Sequence, residues 1–207
     1  MPYKLLLILM FLLSYINVFS QNSNNSYLEL NFAKGVHGSG DITGFQYGIL
    51  FAQSFSKKLD WTLSFEGSLH DEPDTPLFYS DEWDPLYNST LHNVTSGLQL
   101  GAGVRFNIAH TRWHLFGFGL SSIFRYQVTS LPDVTIVEYP AITGLPYPVR
   151  VFITESPYRT FAVGGSLKLY YGYKVSDKYT IGTGGSFQID TNGDTIGSYF
   201  ISVSRKF

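Results

Sequence analysis

The sequence predicts an all-β chain, an eight-stranded antiparallel up-and-down barrel that crosses a membrane with its strands. Three observations lead there. From Gly97 to Ile108 two residue classes alternate without a break. Leu98, Leu100, Ala102, Val104, Phe106 and Ile108 hold one parity; Gly97, Gln99, Gly101, Gly103, Arg105 and Asn107 hold the other. Successive strand side chains point to opposite faces, so this stretch has one greasy face and one small or polar face. A strand on a soluble core would show charged, solvated residues on its polar face, whereas glycines there mark a crowded interior with hydrocarbon outside. The second observation is composition: charged residues are 14% and aromatics 17%, with 20 glycines, against roughly 25% charged in ordinary soluble domains. The third is that the period-2 segments are joined alternately by tight turns and longer loops, as in transmembrane barrels.

Residues 1–20 read as a secretory signal: Lys4 supplies the positive start, Leu5 to Leu13 the apolar run, and Val18-Phe19-Ser20 the small-residue cleavage site. That run is too short to span a bilayer as a helix, which needs about 20 residues. The barrel domain is then 21–207. Its first strand is expected at Tyr27 to Lys34, with Leu28, Leu30 and Phe32 outward, and its second at Gly44 to Phe55. Trp61 to His70 is the third and Leu91 to Ala109 the fourth, the latter containing the opening alternation. Trp113 to Thr129, Arg159 to Val175, Tyr179 to Asp190 and Thr195 to Phe207 complete the eight. Each is long enough to cross tilted, with the first borderline against the roughly 9–11 residues required.

Tight connections are expected at Ser56–Asp60, His110–Arg112 and Ser176–Lys178, and long loops at 71–90 and 130–158. Charge sorts between the two ends. The loop side is acidic, from Asp41 to Asp194; the turn side carries Lys57, Lys58, Arg112, Lys174, Lys178, Arg205 and Lys206 against Asp60 and Asp177. Trp61, Trp113 and Tyr179 each open a strand after a tight turn, which predicts an aromatic girdle at one height. Within the second long loop, Val134 to Tyr139 and Val149 to Glu155 are β-rich. They are too short to span and are read as an extension of the neighbouring strands; ten strands is the alternative.

The signal segment, the glycine- and aromatic-rich alternating strands and the terminal Phe207 resemble the small outer-membrane β-barrel proteins of Gram-negative bacteria. The resemblance covers the whole mature chain and rests on patterns. It implies outer-membrane lipid and the barrel-assembly machinery as partners, and a last strand read as an insertion signal. Tyr199, Ile201, Val203 and Phe207 match that signal, while Arg205 stands where an apolar or aromatic residue is usual.

Six ionisable residues share the inward parity: Glu29, Glu66, Arg105, Arg125, Lys168 and Asp190. Counted from the tight turns, Glu29 and Arg105 lie low, Glu66 and Lys168 midway, Arg125 and Asp190 high. Paired charges are tolerable in an enclosed interior and unpaired ones costly, so the expectation is three stacked ion pairs in a filled lumen; a gated ion path is the sharper alternative. The acidic loop 71–90 offers oxygen ligands to divalent cations, but its prolines and irregular spacing suit an exposed loop equally. His70, beside Asp71, and His92 raise a surface hydrolase or acyltransferase, although no nucleophile accompanies them.

Several function classes drop out. A net charge of −2 offers nucleic acid no basic field. The absence of cysteine removes thiol catalysis, thiolate metal sites and disulfides. Aqueous diffusion channels need about sixteen strands. The expectation is a non-enzymatic monomer without cofactor, structural or interacting through its loops. A soluble lipocalin-like barrel binding an apolar ligand is the rival; it would put large apolar residues inside.

Overall fold

The computed structural model describes residues 26–38, 42–74, 91–130, 135–138, 143–145, 149–152 and 157–207. Residues 1–25, where the signal segment is expected, and most of both long loops, with the side chain of His92, lie outside these residues. Eight strands close into one antiparallel barrel: β1 (Ser26–His37), β2 (Ile42–Ser54), β3 (Leu59–Asp74), β4 (Leu91–His110), β5 (His114–Thr129), β8 (Tyr158–Lys174), β9 (Tyr179–Asp190) and β10 (Thr195–Lys206). The closing seam pairs β1 with β10, from Tyr27 opposite Lys206 to His37 opposite Ile196. The two β-rich pieces of the second long loop are β6 (Thr135–Glu138) and β7 (Val149–Phe152), which pair with each other in a separate sheet. Eight barrel strands stand, not ten.

The alternation decides which side faces what. Leu30, Phe65, Leu100, Phe124, Leu169 and Ile201 stand exposed on the outer wall, while Glu29, Glu66, Gln99, Arg125, Gln188 and Ser202 are buried inside. A lipocalin-type barrel would reverse this assignment. Stacked aromatic pairs such as Phe32–Phe45 and Phe106–Phe118 knit neighbouring strands across the outer face.

The register sets the tilt. Partners traced from Tyr27 through Ala52, Thr62, Gly103, Ser121, Ser166, Gln188 and Ile196 return to β1 at His37, ten residues further on. Closing a sheet with such a stagger inclines the strands by about 40°. Trp113 precedes β5 and Tyr179 opens β9, but Trp61 is already the third residue of β3. With this tilt and the usual strand rise, Trp61 stands about 7 to 10 Å above the other two along the axis. The girdle is therefore staggered, and Trp61 instead packs on Phe51, with ring centroids 5.2 Å apart.

Three further expectations are corrected. The first strand reaches His37, three residues beyond Lys34, because Gly35 and Val36 keep the alternation and pair on both edges. The β2–β3 turn ends at Lys58, so Asp60 belongs to β3 and is fully buried. In β4 a register shift between Asn107 and Ala109 turns the strand's end, placing His110 opposite the inward Leu115. A bulge of this kind re-aims the side chains beyond it.

Two glycines show what the tight wall requires. A Cβ on Gly103 would collide with the Leu120 carbonyl oxygen and the Ser121 hydroxyl. Gly103→Val is expected to lose at least about 3 kcal/mol, the upper end for overpacking; the band shift between unheated and boiled samples on an SDS gel would fade accordingly. Gly67 is an outward exception, and the Tyr47 ring lies over it, 2.9 Å from where a Cβ would be. An aromatic ring laid over a cross-strand glycine replaces the packing the glycine lacks.

Candidate functional site

The lumen gathers most of the buried charge, arranged in tiers. At the tight-turn end, Arg105 on β4 reaches Glu29 on β1, Nη2 to Oε2 3.1 Å. Its guanidinium lies over two rings, Tyr170 at 4.6 Å and Tyr27 at 5.5 Å. A cation over a desolvated aromatic face gains roughly 2 kcal/mol beyond its ion pair. Beside it, Asp60 accepts hydrogen bonds from the Tyr27 hydroxyl, from Ser54 Oγ at 2.6 Å and from Asn107 Nδ2 at 2.9 Å. Tyr170 in turn donates to Asn107 Oδ1.

The middle tier is Glu66 on β3, which accepts from Lys168 Nζ on β8 through one oxygen and from Gln99 Nε2, at 2.7 Å, through the other. Both carboxylate oxygens are satisfied, the condition for a buried ion pair to be tolerated.

The upper tier is looser. Arg125 Nη1 on β5 lies 3.7 Å from Asp190 Oδ2 on β9. Asp190 Oδ1 accepts from the Asn192 backbone, and Gln127 Nε2 donates to Asp194 Oδ2 at 2.9 Å. His37 and His70 pack against each other above, ring centroids 5.2 Å apart and planes tilted by 44°, with His37 Nε2 3.8 Å from Asp194. Arg125 and His70 are both 0% exposed. Among the described residues, the buried side-chain atoms without a hydrogen-bond partner belong to His37, His70, Arg125, Gln127 and Asp190 in this tier and to Gln188, two residues from Asp190 on β9.

Of the six inward ionisable residues, the structure thus brings together Glu29 with Arg105, Glu66 with Lys168, and Arg125 with Asp190. His70 is not at the surface: its inward parity at the top of β3 buries it against His37, which removes the catalytic arrangement with Asp71. Tyr27, His37, Asp60 and Tyr170 are lumen members that the six expected residues leave out. Parity names them all, two residues from Glu29, eight from Glu29, six from Glu66 and two from Lys168. Among the described residues no three metal-ligating side chains gather; the acidic stretch from residue 75 lies outside them.

The lumen is not filled from end to end. Below the Arg105 tier it opens into a cup of about 1020 Å³ at the tight-turn end. On the outside of the last strand, Tyr199, Ile201, Val203 and Phe207 are exposed, and Arg205 stacks its guanidinium 5.3 Å from the Phe207 ring. Trp113 stacks on Tyr173, and the Arg112 guanidinium lies over the Trp113 ring at 4.9 Å.

A closed eight-stranded antiparallel barrel, apolar outside and ionic inside, is the fold of the small outer-membrane barrels. No protein-family model matches the chain, and no curated protein sequence does. Solved structures do match. The Neisserial surface protein A aligns over 89% of this chain and 98% of its own, at 12% identity and a TM-score of 0.59. The outer membrane protein OprG from Pseudomonas aeruginosa aligns over 88% and 96%, at 11% identity and a TM-score of 0.54. The attachment invasion locus protein Ail of Yersinia pestis, crystallised with the heparin analogue sucrose octasulfate, aligns over 88% and 98%, at 9% identity and a TM-score of 0.50.

Proposed function

We propose that this chain is a monomeric outer-membrane barrel whose lumen is plugged by ion pairs and whose long loops carry a structural or surface-interaction role. The observation that carries the reading is the outer wall: large apolar side chains stay exposed along the strands, from Leu30 and Phe65 to Leu169 and Ile201, over a closed sheet. Exposed apolar surface of this extent is incompatible with water as the surrounding solvent. Residues 1–20 act as the cleaved export signal, and Tyr199, Ile201, Val203 and Phe207 present the last strand to the assembly machinery. Both termini then lie in the periplasm, and loops 71–90 and 130–158 face outward, where an extracellular ligand or divalent cations would be engaged. The middle tier blocks the lumen, which excludes a general diffusion pore.

Cell fractionation with surface proteolysis tests this. The protein is expected in the outer membrane, and a protease site inserted near Trp83 is expected to be cut on intact cells while a tag placed ahead of Ser26 in the mature chain is protected. The refolded protein in planar bilayers is expected to show no porin-sized conductance. A mature chain that stays soluble without detergent would overturn the reading.

A further inference from the structure

The cup at the tight-turn end differs from the ion-paired lumen above it: its charge is lopsided. Lys57 and Lys58 on the β2–β3 turn, Arg112 on the β4–β5 turn, Lys174 ending β8 and Lys206 ending β10 all contribute to its lining. Among the described residues, Asp177 is the only acid in that lining besides Glu29, and Glu29 is already held by Arg105 on the floor. Buried Asp60, behind the floor, is engaged by three hydrogen bonds. Four lysines from three separate strand ends therefore converge on one concavity whose walls are protein, while Arg112 at its rim holds its guanidinium over the exposed Trp113 ring. Field lines focus in such a concavity, and an anion inside it is favoured far more than at a flat surface.

We propose that this cup binds a small polyanion bearing phosphate groups. Its volume of about 1020 Å³ is at the upper end of ordinary small-molecule sites, roughly 300–1000 Å³, and lysines arranged as point charges suit phosphate oxygens. One corner is the most crowded. Lys174 Nζ lies 2.6 Å from His110 Nε2 and 3.3 Å from the Thr111 carbonyl oxygen. The β4 bulge is what turns His110 into this corner. Burial holds the His110 imidazole below its usual range, helped by Lys174 and Lys206 and opposed by Asp60. Burial and Lys206 likewise hold Lys174 down, against Asp177. A bound phosphate relieves both, so binding and protonation of His110 favour one another, and affinity rises as pH falls towards 6.

The site needs only the closed barrel; that it opens to the periplasm rests on the outer-membrane orientation proposed for the chain. The test is therefore made on the refolded mature chain in zwitterionic detergent, where sidedness plays no part. Calorimetry with inorganic tripolyphosphate at low salt is expected to show one saturable site per barrel. The double variant Lys174→Gln/Lys206→Gln is expected to weaken it at least tenfold. Lys178→Gln, on the same end but outside the lining, is expected to change it less than twofold. His110→Gln is expected to flatten the pH dependence. Each variant is first checked for the folded band on an unheated gel. Nanodiscs of phosphatidylcholine, with and without phosphatidylglycerol, separate the sources: binding that persists assigns the cup to soluble phosphates, and competition by the anionic lipid, relieved in the double variant, assigns it to headgroups. No saturable heat, or an equal loss in Lys178→Gln, would overturn the proposal.

Discussion

Leu100→Arg is expected to destabilise the barrel in phosphatidylcholine bilayers by about 2–4 kcal/mol, the cost of a lipid-facing arginine near the midplane. Leu100 is 53% exposed on the outer wall, midway along β4 and level with Phe65 and Phe124. Val175→Arg, in the tight turn after β8, is expected to cost only about 0–1 kcal/mol, because the interface solvates the guanidinium. Reversible urea unfolding from liposomes measures both. A soluble barrel would show no such gradient with depth; equal effects at the two positions would remove the lipid-facing assignment of the wall.

The second large effect lies inside. Glu66→Ala strips Lys168 and Gln99 of their shared acceptor in one step. Removing one member of a buried pair costs about 3–5 kcal/mol, chiefly because the remaining charge is left without a partner. Glu66→Leu/Lys168→Met removes both charges and is expected to recover most of that loss. The cycle of Glu66→Leu, Lys168→Met and the double, read by the same unfolding measurement, isolates the coupling. A neutral Glu66→Ala would mean that water reaches Lys168 freely and that the middle of the lumen is not blocked.

How far the sequence was legible varies by level. Parity carries the fold, since lipid outside and a crowded lumen inside divide each strand into two unmixed residue classes; the match to an eight-stranded closed barrel comes from that. The site is only half legible by the same rule. Tyrosine is at home both at a membrane interface and in a polar interior, so residue type does not mark Tyr27 and Tyr170 as inward and only their parity with Glu29 and Lys168 does. Asp60 next to a turn looks like any turn acid until the turn's length is known. His110 is hidden more deeply, because a single bulge reverses the facing of the residues beyond it and no residue pattern between Asn107 and Ala109 announces it. The cup depends on where four strand ends meet, which is a property of the ten-residue stagger and not of any one segment.

The three ionic tiers also bear on how the chain can assemble. Glu29 and Arg105 sit on β1 and β4, Glu66 and Lys168 on β3 and β8, Arg125 and Asp190 on β5 and β9. None of these pairs joins neighbouring strands of the barrel. Hairpin formation alone leaves all six charges without their partners, and a partly curled sheet entering hydrocarbon would carry them bare, at several kcal/mol apiece. Arg125 and Asp190 reach across one intervening strand and the other two pairs across two, so the charges meet only as the sheet curls towards closure. Circularisation and entry into the bilayer are thereby bound into one event, with the interior chemistry acting as the penalty on any half-built intermediate.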